Sequence, residues 1–328
     1  MARVGNDLRQ AAPLPAAADT KRALPLTVQP SWASLDAIDG ASKGEHPVVL
    51  ERDLVALIAR GEWETLRGAI ARAVSGPLHE LAKRPMTGIG SERSVRFFAD
   101  SVIALKRDWG RQSPQQRADR LLLAVNAELL RASIPAVTRI EVVDLAARAA
   151  MERRWSCSVN RALVDSPTID NVRLLLVAAT VFHEARHAEQ FFRIARLMAT
   201  LGWPAAEISR VLGLPSAIVE EAARQPLPPG DEHEEARVWM QAFVTDAPET
   251  EKIVAQVLQV VPALAGVRAQ AQSALTTGRA MEHARAVLDA SIRATEVAYI
   301  AYRAIPYEQD AKVAEIRAAN AIADAMRA

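Results

Sequence analysis

The stretch "NVRLLLVAATVFHEARHAEQFF", residues 171 to 192, constrains the fold more than any other part of the chain. Its opening residues are apolar almost all round, which is the composition of a helix buried on every side rather than one lining a surface. The same run then wraps two of the chain's six histidines, His183 and His187, around Glu184. Buried imidazole nitrogens need partners. Whatever packs round this helix has to supply them.

Residues four apart in a helix are separated by about 40° of rotation and about 6 Å of rise, so His183 and His187 can aim their rings at one point. Two neutral imidazoles suit zinc, and one zinc ion is the expected cofactor. Glu184 lies about 100° round from His183, placed to reach a water at the metal rather than the metal itself. There it would serve as general base and then as proton donor. The bland alternative is a pair of core histidines satisfied by backbone or carboxylates.

A catalytic zinc needs a third protein ligand. One source is "GDEHEEARVW", with Glu232 and His233, although the helix macrodipole alone favours acids at such an N-terminus. The better source is "AYIAYRAIPYEQDAKVAE". Pro306 can open a helix there, Glu308 falls in its first turn, and Ala311 is small enough to let that helix approach closely. Tyr299, Tyr302 and Tyr307 are all the tyrosines of the chain and stand beside Arg303. Tyr302 or Arg303 could donate to an oxyanion, or the tyrosines could be ordinary aromatic packing. Arg186 borders the ligand face and either holds a substrate carboxylate or pairs with a nearby acid.

"HEARHAEQ" followed far downstream by "YRAIPYEQDA" resembles the gluzincin metallopeptidases. It is more closely similar to bacterial metallopeptidase-like domains found near contractile injection systems and other toxin or effector loci. The resemblance covers about residues 155 to 315. It implies His183, His187 and Glu308 as ligands, Glu184 as base, and Gln190 and Asp310 as supporting residues. It also implies a peptide or protein substrate and export through a secretion or injection apparatus. Thermolysin-like enzymes carry an aspartate four residues after the ligand glutamate to orient a histidine, where this chain has Lys312, and their substrate-binding edge strand is not obvious here.

The 328 residues are half apolar, enough for a large core, and poor in aromatics. Ala, Leu, Arg and Glu dominate, so the fold is expected to be mainly α, α+β at most, with at most a small sheet or edge strand. Strand character is confined to "TRIEVVDL" and "WSCSVNRALVD". Ser113, Pro114 and Gln116 form a capping box. Ser166 and Pro167 are expected to open the motif helix, which should run to about Gly202. Residues 1–46 read as a disordered tail, 47–154 as a helical accessory region, and 155–328 as the metallopeptidase-like domain with a helical insertion at 203–280.

A net charge of +1 gives no reason to expect a nucleic-acid partner. Residues 83–120 hold nine Lys/Arg against four Asp/Glu, at the helical spacing of a solvated surface. Segment 204–224 imitates a helix-turn-helix, but its second helix offers Glu220, Glu221 and only Arg224 to a phosphate backbone. A DNA-binding regulator is the weaker alternative, and a non-catalytic metal-binding structural or interaction protein is the other. The single cysteine, Cys157, excludes an internal disulfide. No run is long enough to span a membrane, and the N-terminal residues lack the apolar stretch of a secretory signal, so the chain is expected to be cytoplasmic as synthesised.

Overall fold

The structure is a computed structural model; it describes residues 85–145, 148–248 and 305–327, with scattered positions between 250 and 302. The expected tail at 1–46, residues 47–84, Tyr299 and Arg303 lie outside the described residues. The described part is mainly helical with one small sheet.

Helix α1 (Glu92–Lys106) starts at Ser91, whose side chain accepts from Ser94 N, and α2 (Pro114–Arg131) starts on the expected Ser113–Gln116 capping box. Three short strands follow: β1 (Ile140–Val143), β2 (Ala149–Glu152) and β3 (Ser156–Asn160). After a single turn, α3 (Arg161–Val164), comes the long α4 (Asn171–Thr200), which carries the histidines. Helices α5 (Ala205–Leu212), α6 (Ser216–Arg224) and α7 (Asp231–Met240) follow, and α7 runs into a π-helical turn, Gln241–Thr245. Helix α8 (Pro306–Ala325) completes the described part.

Helix α4 is the axis of the molecule: every residue in 177–195 is buried. Helix α8 packs along it and against α1, the α5–α6 hairpin covers its C-terminal half, and α7 and β2 close two further sides. It begins later than the sequence predicts. Ser166 spends its hydroxyl on Thr168 O at 2.7 Å, and Asp170 caps instead, accepting from Arg173 N at 2.7 Å. Its end falls where expected. Gly202, at φ +86, donates to Ala199 O and Trp203 to Met198 O, the paired bonds of a left-handed glycine cap.

The expected strands are β1 and β3, which pair in parallel with Ile140 opposite Cys157. No strand is expected at 149–152, where Ala-Ala-Met-Glu has a helical composition. The structure makes one because the turn closed by Trp155 N to Glu152 O folds the chain back, pairing Ala149–Glu152 antiparallel with β3. Residues Ala149, Ala150 and Met151 are then buried, so packing overrides local propensity. The sheet order β1-β3-β2 leaves β2 at an edge. A boundary at 154 falls inside this hairpin, and α1 and α2 share their core with α4.

In the segment that imitates a helix-turn-helix, Val219 and Ala222 of α6 are buried and the helix packs on α4, while Glu220 and Arg224 face outward. No helix among the described residues is long and apolar enough to cross a membrane.

Candidate metal centre

Four-residue spacing on a straight helix brings the rings of His183 and His187 to a centroid separation of 4.8 Å, nearly perpendicular to each other. Their Nε2 atoms lie 3.1 Å apart. Glu308, in the first turn of α8, places Oε2 at 3.7 Å from the first and 3.6 Å from the second. A point equidistant from these three atoms is about 2.0 Å from each, which is the bond length of zinc to imidazole nitrogen or carboxylate oxygen. Pro306 at the helix start and the fully buried Ala311 one turn later give α8 the close approach this requires. His183, His187 and Glu308 form a buried group that could hold a metal ion.

The electrostatics favour a cation there. Burial opposes a charged His183, but Glu308 and Glu315 outweigh it and raise the pKa to about 10. His187 is also raised, Glu308 prevailing over burial. Glu308 moves the other way: burial would raise it, but the two imidazoles hold it well below the usual carboxylate range.

Gln190 fixes the orientation of His187. Its Nε2 donates to Tyr307 O at 2.9 Å and Asp310 Oδ2 at 2.7 Å, so its Oε1 must be the acceptor facing His187 Nδ1 at 2.8 Å. Nδ1 therefore carries the hydrogen and the Nε2 lone pair points into the triangle, as ligation demands. His183 Nδ1 lies 3.2 Å from Glu315 Oε2, an approach that is within distance but off the line of a good hydrogen bond.

Glu184 is 1 % exposed. One oxygen, Oε2, accepts from Met151 N at 2.7 Å, on the edge strand. The other, Oε1, has no hydrogen-bond partner among the described residues. Burial raises its pKa, against the pull of His183 and His187. Tyr302 is buried near Glu308, and burial, followed by that carboxylate, pushes its phenol well above the usual range. Tyr307 packs its ring on His187 at 6.2 Å and on Phe243 at 5.7 Å.

Arg186 is not available to a substrate. It is fully buried and grips Asp310 through both Nε (2.7 Å) and Nη2 (3.1 Å), donates to Thr87 O and Glu189, and stacks over Trp239. Arg193 continues the network to Glu189 at 2.6 Å and Glu235 at 2.9 Å. Buried charges persist only when paired in this way. Gly88, at φ +58, belongs to the same network: a Cβ there would lie 1.5 Å from Glu189 Oε1. The alternative third ligands are elsewhere. Glu232 is half-exposed beside Arg193 at 3.2 Å, and His233 faces Glu234 at 3.7 Å.

Sequence reasoning missed Glu315, its pairing with Lys312, and the Glu189–Arg193–Glu235 network. For Glu315 a signal exists: it lies seven residues after Glu308, on the same face of α8. No family model matches the chain, and no curated protein or solved structure matches it.

Proposed function

We propose that the chain is a zinc-dependent hydrolase that cleaves peptide bonds, of the gluzincin type its motifs resemble. The observation that carries this reading is the Glu184 carboxylate, buried beside the three converging ligands with Oε1 unengaged. A site that only stabilises the fold gains nothing from leaving that second oxygen unpaired. The donor set fits zinc, two imidazole nitrogens and one carboxylate oxygen leaving a fourth position for water or substrate.

A bound zinc ion would supply Lewis acidity toward a carbonyl and lower the pKa of water toward neutrality. Glu184 Oε1 would accept the proton from the attacking water, and the Met151 N–H holds Oε2 so that the carboxylate keeps its direction. A carboxylate placed there could then return that proton to the leaving nitrogen. Tyr302, its hydroxyl proton tightly held, is the donor for the developing oxyanion. The resemblance to effector-associated domains extends the proposal to export from a bacterial cell, tested by whether release stops when the secretion apparatus is deleted.

The burial of the ligands, with His183 and His187 each 6 % exposed, favours a second reading: a metal site without turnover. Glu184→Gln separates the two. The hydrolase reading expects zinc retained, measured by elemental analysis, and cleavage of a quenched fluorescent peptide library lost by at least about 100-fold. Unchanged cleavage, or none by the zinc-loaded wild type, refutes it. His187→Ala and Glu308→Ala should each lose zinc, whereas Glu232→Ala should keep it.

A further inference from the structure

Lys312 and Glu315 stand on α8 one and two turns beyond Glu308 and supply no ligand. Their placement is nevertheless specific. Seven residues make two helical turns, so Glu308 and Glu315 face α4 from the same side. One imidazole lies between them: His183 turns Nε2 to Glu308 at 3.7 Å and Nδ1 to Glu315 at 3.2 Å. That Nδ1 forms no hydrogen bond of good geometry among the described residues, and the Glu315 carboxylate is the charged group it faces. Glu315 is itself buried, 8 % exposed, and a buried carboxylate needs a counter-charge. Lys312 provides it, with Nζ at 2.9 Å from each oxygen.

We infer that Glu315, clamped by Lys312, is the positioning residue that orients His183 for metal binding, an inference that rests on the metal reading of the His183, His187 and Glu308 triangle. Lys312 occupies the position, four residues after Glu308, where thermolysin-like enzymes carry an orienting aspartate. Here the carboxylate that faces the first histidine stands at Glu315, one turn beyond Lys312's own position, with Lys312 as its counter-charge. A hydrogen on Nδ1, drawn toward the Glu315 carboxylate 3.2 Å away, leaves the Nε2 lone pair free for the metal and makes the imidazole a stronger donor. The two ligand histidines are thus supported differently, His183 by a charged pair and His187 by the neutral Gln190 amide.

The test is zinc affinity of the full chain, by competition with a chromophoric chelator, together with the visible absorption of the cobalt(II)-loaded protein. Glu315→Ala should weaken zinc binding by about 10- to 100-fold and alter the cobalt bands, while Glu315→Gln, whose amide oxygen can present an acceptor in the same place, should recover most of that loss. Lys312→Met should lose at least about threefold. Circular dichroism of the metal-free variants reports whether each folds. Wild-type affinity with an unchanged cobalt spectrum in Glu315→Ala overturns the positioning role and leaves the metal site standing. Should that variant not fold, Lys312→Met decides in its place, and wild-type affinity there overturns the role. A wild-type protein that binds zinc no better than Glu308→Ala overturns the metal reading and this inference with it.

Discussion

Replacing Asp310 with alanine removes the partner that, alone among the described residues, grips the Arg186 guanidinium through two parallel bonds, at 2.7 and 3.1 Å. Arg186 is fully buried, and stripping one partner from a buried pair costs about 3–5 kcal/mol. Two features place the loss near the lower end. Asp310 keeps some contact with solvent, 18 % of its side chain, and Arg186 retains Glu189, Thr87 O and, at 3.7 Å, Glu235. The expected cost is about 3 kcal/mol. For a domain of this size that corresponds to a fall in Tm of about 6–12 °C. Urea unfolding of the metal-free protein at pH 7 measures it, and a double-mutant cycle with Arg186→Met should return a coupling of about 1–3 kcal/mol. A loss below about 1 kcal/mol, the scale of an exposed ion pair, would refute the claim that this contact is a dry, paired charge.

Gly88→Ala should destabilise by at least about 2 kcal/mol in the same assay, because a left-handed alanine is itself costly and its Cβ would displace Glu189, 1.5 Å away. A neutral result would show that the Glu189 carboxylate does not need that space. The pH dependence of the metal-free protein has a definite sign. His183, raised from 6.5 to about 10, contributes stability that is complete below pH 6.5 and is lost as pH climbs toward 10. Glu308, lowered from 4.5, contributes stability present above that value and lost in acid. Tm without metal should therefore peak between about pH 5 and 6.5. Zinc loading at pH 7 should release protons, read by calorimetry in buffers of different ionisation heat. A Tm that rises steadily from pH 6.5 to 10, or loading without proton release, contradicts this electrostatic picture.

Much of the centre was legible before any coordinates. His183, His187 and Glu184 are related by helical spacing within one segment, and a spacing is a local property that periodicity exposes. Glu308 was legible for a weaker reason, through Pro306 and Ala311 marking a helix start able to approach closely. Glu232 and His233 were the weaker candidates by sequence, and packing removes them: α7 meets α4 about two turns beyond the ligands, where Arg193 and Arg196 claim Glu232. Arg186 illustrates the same limit. Its sequence neighbours could not say whether it faced a cleft or Asp310. Strand β2 was hidden because Ala-Ala-Met-Glu pairs only when the Glu152–Trp155 turn brings β3 alongside.

The linear chain by itself determined a mainly helical protein built round one buried helix, with two imidazoles converging and a carboxylate set to one side. Those properties follow from helical period and composition, which need no knowledge of what lies across the core. The tertiary structure alone decided which distant carboxylate closes the triangle, that Glu315 rather than a residue at 312 meets His183, and that Met151 N–H steadies Glu184. Each joins residues far apart in the chain, and a contact of that kind exists only once the folded core has chosen which helix faces meet.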